Sequence, residues 1–150
     1  MAWIVCDLDG TLVTQMPDPM DPEAEPQPVP TDGAIESMTQ LVSEGHRLTV
    51  FTARFAPMPD SERQRLKEQI EQELATMGFP PMEVWTGTTK PAADIFIDDK
   101  AITYDNDWGL AVAQLETMLQ ERGLVPGPQP DDGTMPPEDG EAPPPEGQIP

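Results

Sequence analysis

The sequence predicts an α/β fold in which a parallel β-sheet carries helices on both faces. Three observations lead there. Short apolar runs of strand length (WIVC, LTVF, IFI) alternate with amphipathic stretches of helical length. Parallel strands need crossovers of about a dozen residues or more, and those stretches supply them. Each of the three runs also ends abruptly in polar residues, and parallel sheets gather ligands outside the carboxyl ends of their strands. The alternation makes the expected fold Rossmann-like, and 150 residues argue for one domain.

The elements follow in order. Residues 3–6 read as a short buried strand closed by Asp7. Residues 31–44 read as a helix, with Ile35, Met38, Leu41 and Val42 on one face and Gly45 as its stop. Residues 48–51 form the second strand. The next helix has Ser61 as N-cap with Gln64 three residues on, the spacing of a capping box. Its inner stripe is Leu66, Ile70, Leu74 and Met77, and Gly78 ends it. Residues 83–85 are a weak third strand, residues 95–97 a fourth, and residues 103–104 a candidate fifth. Val112, Leu115, Met118 and Leu119 line a last helix that stops at Gly123.

Proline marks the boundaries. Six of the 20 prolines fall within residues 17–30 and nine within residues 126–150. Both stretches are acidic and poor in large apolar side chains, so burial there does not offset the entropy of ordering. Residues 15–30 are expected as an extended acidic surface loop in a domain spanning residues 1–123. Residues 124–150 are expected as a disordered tail of polyproline II character.

The net charge is −20, from 28 acids and eight bases, and the two proline-rich stretches hold half of it. That balance argues against a broad phosphate-backbone surface, which needs clustered Lys and Arg, and leaves a small local contact open. One cysteine, Cys6, excludes an internal disulfide and reads as a small apolar packing residue. The N-terminal run has no basic flank and breaks at Asp7, so it is not a signal peptide, and no run approaches a membrane span of ~18 residues. A cytoplasmic protein with no membrane partner is the expectation. His46, at a helix-to-strand turn, reads as structural, and Trp108 as packing against the last helix.

The polar strand ends carry the chemistry. Asp7 and Asp9 close the first strand, Thr52 and Arg54 the second, and Asp98 and Asp99 the fourth, with Lys90 just before it. In a parallel sheet these residues converge on one rim. Four carboxylates there repel unless a cation joins them. An oxygen-only donor set without a His or Cys cluster favours Mg²⁺ over zinc.

DLDGT, then a strand ending in Thr, then Lys, then a strand ending in Asp-Asp resembles the haloacid dehalogenase (HAD) superfamily, in the order that family uses and over roughly residues 1–122. The resemblance implies that Asp7 attacks phosphorus and becomes an aspartyl-phosphate. It implies that Asp9 protonates the leaving oxygen and then activates water. It assigns the Mg²⁺ ligands to Asp7, to the backbone carbonyl of Asp9 and to an acid of the Asp98–Asp99 pair, with Asp99 favoured. Family dehalogenases lack the second Asp and the ATPase branch has Thr there, so Asp9 points to a phosphatase or phosphotransferase. Thr52 would donate to a phosphoryl oxygen and Lys90 would offset charge. Gly10 and Arg54 would join Thr52 in substrate binding, although Arg54 reads equally as a partner for surface acids.

The insert after the first motif is too short and too poor in apolar residues for a cap domain, so the resemblance is to a small capless, HAD-like phosphatase. It implies a phosphorylated small molecule or nucleotide as partner, or a polynucleotide 3′-phosphate, and a homo-oligomer as one way to close the site. Two rival readings exist. A phospho-acceptor receiver domain uses the same residue types in a different order. A catalytically inactive HAD-like binding module would dock a partner through its Pro-rich tail.

Overall fold

The structure is a computed structural model that describes residues 1–16, 20, 23, 25, 27–56 and 58–124. The chain divides into two units, Met1–Ala101 and Ile102–Pro150. The expected tail, Leu124 apart, and much of the proline-rich loop lie outside the described residues.

The first unit opens with β1 (Trp3–Asp7). β2 (Val13–Met16) pairs antiparallel with β3 (Gln27–Pro30), so the ends of the expected loop are strands. α1 (Ala34–Ser43) leads to β4 (Arg47–Phe51), and a 3₁₀ turn (Ala53–Phe55) leads to α2 (Asp60–Met77). β5 (Glu83–Val84) and β6 (Ile95–Ile97) complete a four-stranded parallel sheet of order β5-β4-β1-β6. The α/β class and the parallel sheet are therefore as expected.

Register sets the faces. Ile4 lies opposite Leu48 and Ile95, Cys6 opposite Val50 and Ile97, and Val50 opposite Val84. Paired residues share a face. Ile4, Cys6, Leu48, Val50 and Val84 join one apolar core with Met38 of α1 and with Ile70 and Leu74 of α2. Both helices of this unit thus lie on the same face. The chain steps outward in one direction from β1 to β4 to β5, and right-handed crossovers then put both helices on one side. Full burial of a side chain such as Ile70 is worth about 1.5–3 kcal/mol.

The opposite face carries Trp3, Val5 and Thr49. The Trp3 indole donates to the Thr49 hydroxyl (2.9 Å), stacks obliquely on Trp85 (6.0 Å between centroids) and lies under the Arg47 guanidinium. Cys6 is buried beside the Met38 sulfur, and burial pushes its thiol up to about 11, consistent with a packing role. His46 Nδ1 accepts from the Ala2 amide (3.1 Å), also a structural role.

α2 begins one residue before the expected cap. Pro59 occupies the N-cap position and no side chain caps the helix, so the Ser61–Gln64 box does not form. Gly78 ends α2 at φ +98°, a conformation that suits glycine.

In the second unit, α3 (Trp108–Glu121) starts on Asp107, whose side chain accepts from the Leu110 amide (3.2 Å). Residues 103–104 are not a strand. Tyr104 stacks instead on Trp108, at 4.8 Å between centroids, and Trp108 itself is 71% exposed. Val112 and Leu115, expected as inner positions, are exposed. No helix among the described residues is long and apolar enough to cross a membrane.

Candidate active site

β1 and β6 are neighbours and run parallel, so Asp7, the last residue of β1, comes beside Asp98 and Asp99, which follow β6. One carboxylate oxygen from each lies within 4.8 Å of the others. Burial raises the Asp7 carboxyl from its ordinary 3.8 to about 6, helped by the charge of Asp98 and, less, by Asp99; a hydrogen bond from the Leu8 backbone partly opposes this. Burial first, and the neighbouring carboxylate charges second, favour the protonated form. A cation placed among them would favour the ionised form.

A tight turn follows β1. The Leu12 and Val13 amides both donate to the Leu8 carbonyl (3.0 and 3.1 Å), and Leu8, Leu12 and Val13 are buried beneath it. The turn lifts Asp9, Gly10 and Thr11 over the strand ends. Gly10 has φ +89°, and a Cβ there would sit 2.8 Å from Asp99 Oδ2. Its amide donates to the Val13 carbonyl (2.8 Å), so the turn itself uses the donor that a substrate would need. Glycine at this position allows the Asp99 carboxylate to come close. Thr11 fixes that carboxylate: its hydroxyl accepts from the Asp99 amide (3.1 Å) and donates to Asp99 Oδ1 (3.3 Å).

Asp9 faces a different partner. Arg54 Nε donates to Asp9 Oδ2 (2.8 Å) and Nη2 to Oδ1 (2.5 Å), a two-pronged ion pair between the first turn and the end of β4. The hydrogen bond to Asp9 is the main reason that the Arg54 pKa is raised. Thr52 is buried and accepts from the Arg54 amide (3.2 Å), which starts the 3₁₀ turn and aims the arginine. That bond uses a lone pair and leaves the hydroxyl proton available for donation.

Lys90 is exposed, with Nζ 4.3 Å above the Phe96 ring, and it makes no ion pair among the described residues. It lines a cavity of about 340 Å³ together with Thr52. The structure therefore gathers Asp7, Asp98 and Asp99 into one cluster, couples Asp9 to Arg54, and places Thr52 and Lys90 on one cavity.

No family model matches the chain. A comparison with curated proteins finds no match either. Among solved structures the chain is similar to a conserved protein from Bacteroides thetaiotaomicron, at 19% identity and a TM-score of 0.46, over 84% of this chain and 98% of the other.

Three residues at the site carried no signal of their own in the sequence. Thr11 stands there only as the last residue of DLDGT, Arg63 as one cation in the second helical stretch, and Trp85 as the end of a weak strand. Each gains its role from a partner 23 or more positions away, or from the cavity wall.

Proposed function

We propose that this chain is a phosphatase that hydrolyses a phosphomonoester through an aspartyl-phosphate on Asp7, as a small capless member of the HAD superfamily dependent on Mg²⁺. The observation that carries the reading is the cluster of Asp7, Asp98 and Asp99 at the carboxyl ends of two adjacent parallel strands. The donor set fits the ion: it is all oxygen, it concentrates negative charge, and no His or Cys belongs to it.

Asp7, Asp99 or Asp98, and the backbone carbonyl of Asp9 would hold Mg²⁺, which would supply charge neutralisation to the phosphoryl oxygens. An Asp7 carboxylate oxygen attacks phosphorus, and the bond to the leaving oxygen breaks. That oxygen takes its proton from Asp9. Asp9 then removes a proton from water, the water oxygen attacks phosphorus, and inorganic phosphate departs as the Asp7 carboxylate is restored. Splitting one displacement into two lowers each barrier. Arg54 orients Asp9, Thr52 donates to a phosphoryl oxygen, and Lys90 offsets its charge.

A phosphomonoester panel that includes a nucleotide and a 3′-phosphorylated oligonucleotide, assayed for phosphate release, tests the reading. Release should require Mg²⁺, stop in excess EDTA and vanish in Asp7→Asn. Full activity in EDTA, or in folded Asp7→Asn, would sink it.

A further inference from the structure

We propose that the cavity beside Thr52 receives the non-reacting body of the substrate, and that this body carries a second anionic group held by Arg63. The inference rests on the phosphatase reading and names the class of ester. The cavity, about 340 Å³, lies between the carboxyl end of β4 and residues 85–90. Its size suits a small molecule and exceeds what inorganic phosphate needs. Phe51 and Trp85 give it aromatic surface, and Arg63 and Lys90 give it two of the chain's eight cations. No Asp or Glu lines it among the described residues, although the chain has 28. In a protein of net charge −20 a cation-only wall favours an anionic occupant. A larger cavity of about 430 Å³ beside Leu74 and Phe79 is lined by Glu71 and Glu83, the opposite character.

The wall is built rather than incidental. Arg63 is only 15% exposed in its side chain, and its Nε and Nη1 donate to the Met58 and Thr86 carbonyls, each at 3.3 Å. Its ion-pair partner Asp60 is 94% exposed, so water screens that pair. Nη2 has no acceptor among the described residues. The Trp85 indole donates to the Thr89 carbonyl (2.9 Å), and Gly87 lies so near the ring that a Cβ would be 2.7 Å from it. The loop is thus folded onto its own tryptophan. With the phosphoryl group between Asp7 and Thr52, a carboxylate or second phosphate on the body meets Arg63, and Phe51 and Trp85 cover the remainder.

Matched esters test this. kcat/KM is measured with Mg²⁺ for glycerol 3-phosphate against 3-phosphoglycerate, and for a nucleoside 3′-phosphate against its 3′,5′-bisphosphate. The second anion should raise kcat/KM about 10- to 100-fold, the range of one charge-assisted hydrogen bond, and the better pair tells carboxylate from phosphate. In Arg63→Gln, and in Thr88→Glu, which puts an acid on the exposed rim of the cavity, the ratio should collapse towards one. Thr88→Glu keeps the test sound if Arg63→Gln fails to fold. Ratios near one in the wild type, or unchanged in a folded variant, overturn the cavity assignment and leave the phosphatase reading standing. Calorimetry with phosphonoacetate and methylphosphonate separates the reverse case. If no ester is turned over, yet phosphonoacetate binds more tightly than methylphosphonate in wild type and not in Thr88→Glu, the cavity assignment holds and the phosphatase reading falls.

Discussion

Arg54→Gln removes the charge and one prong of the fork that grips Asp9. Asp9 is 42% exposed in its side chain and Arg54 26%, so solvent screens the pair and its loss should cost no more than about 1 kcal/mol of stability. In a unit of roughly a hundred residues that is a fall in Tm of about 5 °C. The effect on turnover should be larger. A positioned acid–base group is worth ~10²–10⁴-fold, and an Asp9 that is present but unheld should forfeit part of that, so kcat should fall about 10- to 100-fold. The fall should be greatest for an alkyl phosphate, whose leaving oxygen needs the proton, and smallest for nitrophenyl phosphate. Arg54→Lys should not rescue, because one ammonium does not span both oxygens of a carboxylate. Steady-state kcat and KM on the two substrates provide the assay. A rise in KM at unchanged kcat would show that Arg54 grips the phosphoryl group and that its hold on Asp9 is incidental; no change in either would remove Arg54 from the mechanism.

Three further outcomes follow from the same geometry. Asp7 holds its proton to about pH 6 in the folded chain and to about 3.8 unfolded. The folded state therefore binds the proton more tightly, and metal-free stability should drop as pH rises from 4 to 6; melting curves should show this in wild type relative to Asp7→Asn, with Mg²⁺ stabilising most at the upper end, and coincident curves would refute it. Asp9→Asn should still let Asp7 attack a substrate with a good leaving group but should stall at the aspartyl-phosphate, so rapid quench with nitrophenyl phosphate should give a burst near one equivalent, and a flat trace at the wild-type rate would exclude Asp9 as the acid–base. Gly10→Ala forces a side chain into a left-handed conformation and against Asp99, which should cost about 1–3 kcal/mol by denaturant melt and weaken Mg²⁺ binding in calorimetry.

The parts legible in the sequence were those dictated by local pattern. WIVC, LTVF and IFI are strands in the structure because their runs are apolar and end sharply, and residues 95–97 match β6 to the residue. Ile70 and Leu74 are buried as their helical spacing requires. The Asp7, Asp98 and Asp99 cluster was legible because parallel strands bring their ends together whatever their separation in sequence. What failed needed tertiary detail. Ser61 lost its capping role because the helix began at Asp60, and Tyr104 preferred the Trp108 ring to a strand. That α1 and α2 share one face depends on strand order, which no local pattern contains. The Arg54 grip on Asp9 spans 45 positions and arises only once Thr52 has bent the chain after β4.

Among the described strands β6 is the outermost on its side of the sheet, three residues long, with Ile95 half-exposed, and it pairs there with β1 alone. So short an edge gains little from its own ladder. The same strand delivers Asp98 and Asp99, whereas Asp7 belongs to the central strand. An ion gripped from both strands would act as a clasp across that seam, fastening the margin of the sheet to its middle. Loading the site and knitting the edge would then be one event. Amides of residues 95–97 would exchange with solvent freely in the stripped protein and slowly in the loaded one, while those of β4, enclosed between β1 and β5, would hardly notice the difference.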